Sequence, residues 1–213
     1  MNIICGKLKG RKIHAPKGIR PTQNKVRKAI FDILSDVGKL SFLELFAGSG
    51  AVGLEAASQG AGQVVFIEKD PACISALKKN LAYLPPGGYC LLPLDAFKAI
   101  GQLAGERAKF DVIFLDPPYY KDKDCRLSSG PIAGRSGPLF RRIPPPAITC
   151  PGDSLARKTL KMLSTYDILA LNGFIIIQHY RKDNLPLSSG DLVLFRQSRY
   201  ADTILSFYKK NSS

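Results

Sequence analysis

Asp116-Pro117-Pro118-Tyr119 sets an acid, two rigid residues and an aromatic ring in consecutive positions. That combination suits the alkylation of an amino nitrogen attached to a planar ring. The lone pair of such a nitrogen is delocalised, so it must be made pyramidal before it attacks. Asp116 can accept a hydrogen bond from one N–H and the Pro117 carbonyl from the other, and proline fixes the direction of that carbonyl. Tyr119 suits stacking on an extruded base, worth about 1–3 kcal/mol, which offsets part of the cost of unstacking a nucleotide. The rest is orientation, with nitrogen and methyl carbon held roughly 3–3.5 Å apart in line with the leaving group. Neither a metal nor a covalent intermediate is called for. Out of context, the same tetrapeptide is also a strand-ending turn with a surface aromatic.

A second constellation precedes it. In Glu44-Leu45-Phe46-Ala47-Gly48-Ser49-Gly50-Ala51-Val52-Gly53, Gly48 and Gly50 permit a tight turn against a ligand. Gly48, Gly50 and Gly53 match G-x-G-x-x-G, and Glu68 is placed to bind ribose hydroxyls. Alone, this fits a nicotinamide or flavin enzyme, or merely a glycine turn for helix packing. Two acids move the balance toward S-adenosylmethionine, and Asp116-Pro117-Pro118-Tyr119 at the end of the fourth strand decides it. Glu44, at the strand end, can face a cationic amino-acid portion, and Asp95, before Ala96, can bind an adenine amino group.

These residues need a scaffold that brings strand ends together. From residue 41 onward, short apolar runs alternate with amphipathic stretches, the pattern of an α/β doubly wound, mostly parallel sheet. The strands expected are 41–46, 63–68, 89–94, 110–116 and 173–179; the helices are 24–35, 49–59, 71–83, 95–103 and 155–169. In such sheets ligands bind beyond the carboxyl ends of the strands, at the switch point where the Gly48 turn falls. Segments 191–196 and 203–209 are joined too closely for a crossover helix and predict an antiparallel pair. Residues 125–159 break the alternation with Pro, Gly and Arg, and read as an irregular inserted loop.

The 213 residues carry 31 Lys and Arg against 17 Asp and Glu, a net charge of +14. Such an excess draws polyanions. Lys7, Lys9, Arg11, Lys12, Lys17, Arg20, Lys25, Arg27 and Lys28 all precede Asp32, the first acid, so residues 1–38 read as a basic arm and helix ahead of a catalytic domain at 39–213. A solvated polar face is the plainer alternative. Gly6, Gly10 and Pro16 favour close backbone approach. The five cysteines form no CxxC pair, and with only two histidines they argue against zinc and for free thiols in a reducing cytoplasm. No apolar run approaches the length of a membrane span.

Taken together, the chain resembles the RsmD-type methyltransferases over nearly its whole length. The resemblance is carried by Ile4-Cys5-Gly6-Lys7-Leu8-Lys9-Gly10-Arg11, Arg20-Pro21-Thr22, Val26-Arg27, Phe46-Ala47-Gly48-Ser49-Gly50, Ile67-Glu68, Asp95-Ala96 and Asp116-Pro117-Pro118-Tyr119. It implies a seven-stranded Rossmann-like fold and methylation of a guanine N2 in small-subunit ribosomal RNA, on the subunit or an assembly intermediate, by a monomer. It also implies that Phe46, Thr22 and Arg27 lie near the cofactor or target pocket, with Lys7 and Arg11 on the RNA path; Lys9, Lys12 and Arg20 join them as RNA contacts. Two departures stand out: Gln23-Asn24 follows Thr22 where the family often has Asp, and the fifth strand ends Gln178-His179 where Glu is common. The insertion at 125–159 has no counterpart in the family pattern. The alternatives are an amino methyltransferase acting on DNA adenine, another RNA base or a protein glutamine, and a non-catalytic RNA-binding assembly module; a nicotinamide oxidoreductase ranks below these.

Overall fold

Runs of Val, Ile, Leu and Phe without a polar face must be covered on both sides, and a central sheet does so. The computed structural model describes residues 1–16, 22–118 and 153–211. In it β1 (Ser41–Leu45), β2 (Gln63–Ile67), β3 (Tyr89–Leu92), β4 (Phe110–Leu115) and β5 (Leu169–Tyr180) run parallel in the order β3-β2-β1-β4-β5. β1 thus has β2 on one side and β4 on the other, which makes the switch point between the carboxyl ends of β1 and β4. Beyond β5 the sheet turns antiparallel through β8 (Thr203–Lys210), β7 (Leu192–Tyr200) and the two-residue β6 (Ser188–Ser189). The eight strands exceed the seven expected because β6 adds a short edge.

Two further differences have local causes. β5 begins at Leu169, and α5 (Leu155–Thr165) ends before it rather than running to that residue. The reason lies at Gly173, where a Cβ would stand 2.9 Å from the Asp111 carbonyl oxygen, at the point where the β4–β5 register shifts. A residue without a side chain lets the strand pass that irregularity. β7 extends to Tyr200, so the connection to β8 is only Ala201-Asp202, with Ala201 at φ 53°. α5 occupies the end of the 125–159 stretch; residues 125–152 lie outside the described residues.

Helices cover both faces. α4 (Ala96–Gly105) and α5 pack Ala99, Ile100, Leu103, Leu160 and Leu163 against Leu43, Leu45, Ile113 and Ile175. On the opposite face, α1 (Asn24–Leu34), α2 (Ala51–Ser58) and α3 (Pro71–Leu81) set Ile30, Val52 and Leu77 against Phe42, Phe66 and Phe114. α3 starts as its sequence predicts, with Pro71 in the first turn and the Asp70 side chain accepting from Cys73 N at 2.9 Å.

The segment before α1, expected as an arm, is fastened to this second layer. Ile3 and Ile13 are buried in its core. Ile3 N donates to Arg11 O at 2.9 Å and Lys7 N to Ser58 O at 2.8 Å. Asn80 accepts from His14 N at 2.8 Å and returns a hydrogen bond to His14 O at 2.9 Å. Gly6, at φ 79°, would place a Cβ 2.0 Å from Ser58 O. Its close backbone approach is therefore to α2.

Candidate active site

Strand register alone brings three polar side chains to one face. Glu44 pairs with Phe114, and Phe114 with Ile176. Asp116 and Gln178 each lie two positions further on, and side chains two apart point to the same side. Gln178 Nε2 donates to Asp116 Oδ2 at 2.8 Å, and Thr22 Oγ1 makes a long contact of 3.5 Å to the same oxygen. Thr22 is carried there by α1, whose Val26, Ile30 and Phe31 are buried against the sheet. Pro117 is buried and Pro118 exposed. Tyr119 lies outside the described residues.

Beside this corner, the turn after β1 takes three left-handed conformations, at Phe46 (φ 57°), Gly48 (φ 55°) and Gly50 (φ 73°). A Cβ on Gly50 would stand 2.3 Å from Leu77 Cδ1, and one on Gly53 would stand 2.5 Å from Phe66 Cε1. The α-carbons of both glycines are closed in by packing, including that of Gly50, which the sequence reading set against the ligand. A Cβ on Gly48 would meet nothing within 4 Å among the described residues, so with respect to them its backbone borders open space into which a ligand can fit. Gly48 N donates to Glu68 Oε2 at 2.7 Å, while Glu68 Oε1 accepts from Lys69 N and Asp70 N, each at 2.8 Å. Glu68 thereby ties the end of β2 to the turn. Phe46 is half-buried and packs on the α4–α5 side. Asp95 accepts from Phe97 N at 3.0 Å at the start of α4 and from Lys69 Nζ at 3.0 Å, and Ala96 is buried.

Two sequence expectations are corrected. Glu44 does not face a ligand's ammonium: its carboxyl is buried and accepts from Val52 N at 3.3 Å and Gly53 N at 2.8 Å, in the first turn of α2. Burial pushes its pKa up to about 8; the Gly53 and Val52 N–H groups oppose the rise, the Asp116 charge adds to it, and Arg27 opposes it. Arg27 is not at a pocket either. It is fully buried, with Nε 3.3 Å from Glu55 Oε2, near enough for an ion pair though not aligned as a hydrogen bond. Its Nη2 donates to Asn2 O at 2.5 Å and Asn24 Oδ1 at 3.1 Å. Glu55 also accepts from Ile4 N at 2.9 Å and Cys5 N at 2.6 Å. Burial lowers the Arg27 pKa, against the opposing charges of Glu55 and Glu44. The pair clamps the N-terminal segment between α1 and α2.

The proposed RNA contacts Lys7, Lys9, Arg11 and Lys12 are all exposed. The Arg11 guanidinium lies 5.6 Å from the Tyr83 ring centroid, and Tyr83 OH donates to Lys12 O at 3.1 Å. Arg20 lies outside the described residues. His179 is buried, with Nε2 2.8 Å from Ser206 Oγ, and burial lowers its pKa; as the neighbour of Gln178 on a strand, it points to the other face. Gln178 is the residue the sequence underrated. It entered only as a departure from a family pattern, and its signal was its place at the end of the fifth strand. Among the described residues, no three of His, Cys, Asp and Glu gather as metal ligands would.

The site therefore joins a carboxylate that accepts from Gln178 with Thr22 alongside, a buried proline after it, and a glycine turn bordering open space among the described residues. It can grip a polar N–H and seat a ligand beside it. The family model described as Conserved hypothetical protein 95 matches residues 1–128. The chain is 32% identical over 216 residues to the Putative rRNA methyltransferase YlbH of Bacillus subtilis (strain 168), covering 99% of each chain. It is 38% identical over 122 residues to the Ribosomal RNA small subunit methyltransferase D of Escherichia coli (strain K12), covering 56% of this chain and 60% of that one. Among solved structures, the putative methyltransferase yhhF from Escherichia coli superposes with a TM-score of 0.75 at 26% identity, covering 100% of this chain and 99% of the other.

Proposed function

Because this chain belongs to the Conserved hypothetical protein 95 family, the RsmD-type methyltransferases, we propose that it methylates the N2 amino group of a guanine in small-subunit ribosomal RNA. S-adenosylmethionine, when bound, supplies a methyl group activated on a sulfonium. Its fit here rests on the open space at Gly48, with Glu68 beside the turn and Asp95 at the neighbouring strand end as polar contacts for the nucleoside portion.

The observation that carries the reading is Asp116 at the end of β4, held by Gln178 and Thr22 next to that turn. Asp116 accepts a hydrogen bond from the target N–H, and the Pro117 carbonyl accepts from the second. Together they draw the amine out of conjugation and aim its lone pair. After transfer, Asp116 or water takes the proton the nitrogen sheds. Tyr119, three residues after Asp116, supplies the stacking surface for the base. The exposed Lys7, Lys9, Arg11 and Lys12, with Arg20, track the phosphate backbone. Their substrate is a small subunit or an assembly intermediate, which places the work in the cytoplasm. No helix among the described residues is long and apolar enough to cross a membrane. All the residues named stand on one chain, so a monomer suffices.

The test is to incubate the protein with unmodified small subunits and the methyl donor and to map the modified nucleosides by mass spectrometry. N2-methylguanine in the ribosomal RNA is expected. Methylated adenine, label in DNA or protein, or no transfer at all would contradict the reading.

A further inference from the structure

We propose that Gln178 reads the target base: its side-chain oxygen accepts the N1–H of guanine while Asp116 and Pro117 engage the adjoining 2-amino group. The inference rests on the methyl-transfer function proposed above and adds to it the means of selecting the base.

Gln178 is 6% exposed, and its Oε1 is shielded from solvent with no hydrogen-bond partner among the described residues. Buried side-chain acceptors rarely go without a donor, and an exception calls for a cause. The orientation of the amide follows from its neighbour. A carboxylate accepts but does not donate, so the amide NH2 must face Asp116, as the 2.8 Å contact from Nε2 requires. Oε1 is then left over as an acceptor carried on the same amide carbon, next to the corner that grips the amine.

Three nucleobases bear an exocyclic amine. In adenine and cytosine the flanking ring nitrogen on the pairing edge is an acceptor; in guanine the nitrogen between the 2-amino group and O6 is a donor. A carbonyl oxygen beside the amine-binding acid therefore matches guanine and sets lone pair against lone pair for the other two. The same orphaned oxygen would also suit the ammonium of the methyl donor, and the test separates the two.

A short ribosomal RNA fragment carrying the mapped guanine is compared with one carrying 2-aminopurine at that position. The analogue keeps the reacting amine and turns N1 into an acceptor. Wild-type protein is expected to lose roughly 10–100-fold in kcat/KM on the analogue, as when a buried acceptor loses its donor. In Gln178→Met the guanine rate falls, but the ratio between the substrates drops to about threefold or less, and S-adenosylhomocysteine binding by calorimetry stays within about twofold. Equal wild-type rates on both RNAs, or a preference surviving in Gln178→Met, would overturn the inference. Weakening of S-adenosylhomocysteine binding by about tenfold in Gln178→Met would assign the oxygen to the ammonium and overturn it too. The wild-type comparison stands even if the Met variant fails to fold. If the wild-type protein forms no N2-methylguanine at all, the function itself fails and this inference with it, a result distinct from equal rates on the two RNAs.

Discussion

Glu44 Oε2 accepts a hydrogen bond from Gly53 N at 2.8 Å, and the same oxygen lies 2.7 Å from where a Cβ on Gly53 would stand. The strand end and the first turn of α2 are thus locked together beneath the turn, with no room for a side chain between them. Above it, Gly48 borders open space among the described residues. One glycine motif therefore divides into positions that hold the fold and one that can receive a ligand.

That division predicts opposite effects for two alanine substitutions. Gly53→Ala forces a methyl group against Phe66 and Glu44 and is expected to destabilise the chain by about 1–3 kcal/mol. Gly48→Ala keeps the packing and costs about 1–2 kcal/mol for its left-handed backbone, but it intrudes where the methyl donor rests and should weaken donor binding tenfold or more, a loss of about 1.4 kcal/mol or greater. Denaturant unfolding and calorimetry, run on both variants, distinguish the roles.

Glu44 makes stability depend on pH. Its pKa is raised from 4.5 to about 8 by burial, so the folded chain holds this proton more tightly than the unfolded one. The stabilisation from this group is complete below the unfolded value and is lost as pH rises toward about 8. Glu44→Gln lacks the titration, so its stability relative to wild type should improve between about pH 5 and pH 8.5 in urea unfolding. Parallel curves for the two proteins would remove Glu44 as the cause.

Arg27→Met leaves Glu55 buried opposite an apolar side chain. Breaking one side of a buried ion pair costs about 3–5 kcal/mol, and the loosened N-terminal segment should show faster amide exchange at Ile4 and Cys5, whose N–H groups bind Glu55. Donor affinity is expected to hold, because Arg27 contacts α1, α2 and the N-terminal residues rather than the Gly48 turn.

The central strands were legible because Phe42, Leu43, Val64, Phe66, Val112 and Ile113 form apolar runs that only double burial accommodates. β6 was not, since two residues cannot display a period, and the start of β5 was hidden because Gly173 looks like a strand's beginning rather than its irregularity. In the candidate site, Asp116 and Gly48 were singled out by their motifs and Thr22 by the family resemblance. The orientation of charged groups was not legible in this way. Glu44 and Arg27 are turned inward by the Gly53 amide and by Glu55, partners that only the folded chain supplies. Gln178 gained its meaning once the β4–β5 register set it beside Asp116.

The acid at the end of β4 bears the whole account, and replacing it is the most direct trial. Wild type and Asp116→Ala should be compared for methyl transfer to unmodified small subunits, with donor binding measured on the same preparations by calorimetry. The expected result is unchanged donor affinity with transfer lost by roughly a hundredfold to a thousandfold, the scale for deleting one group that stabilises the reacting atoms. Transfer at the wild-type rate by the alanine variant would contradict the assignment.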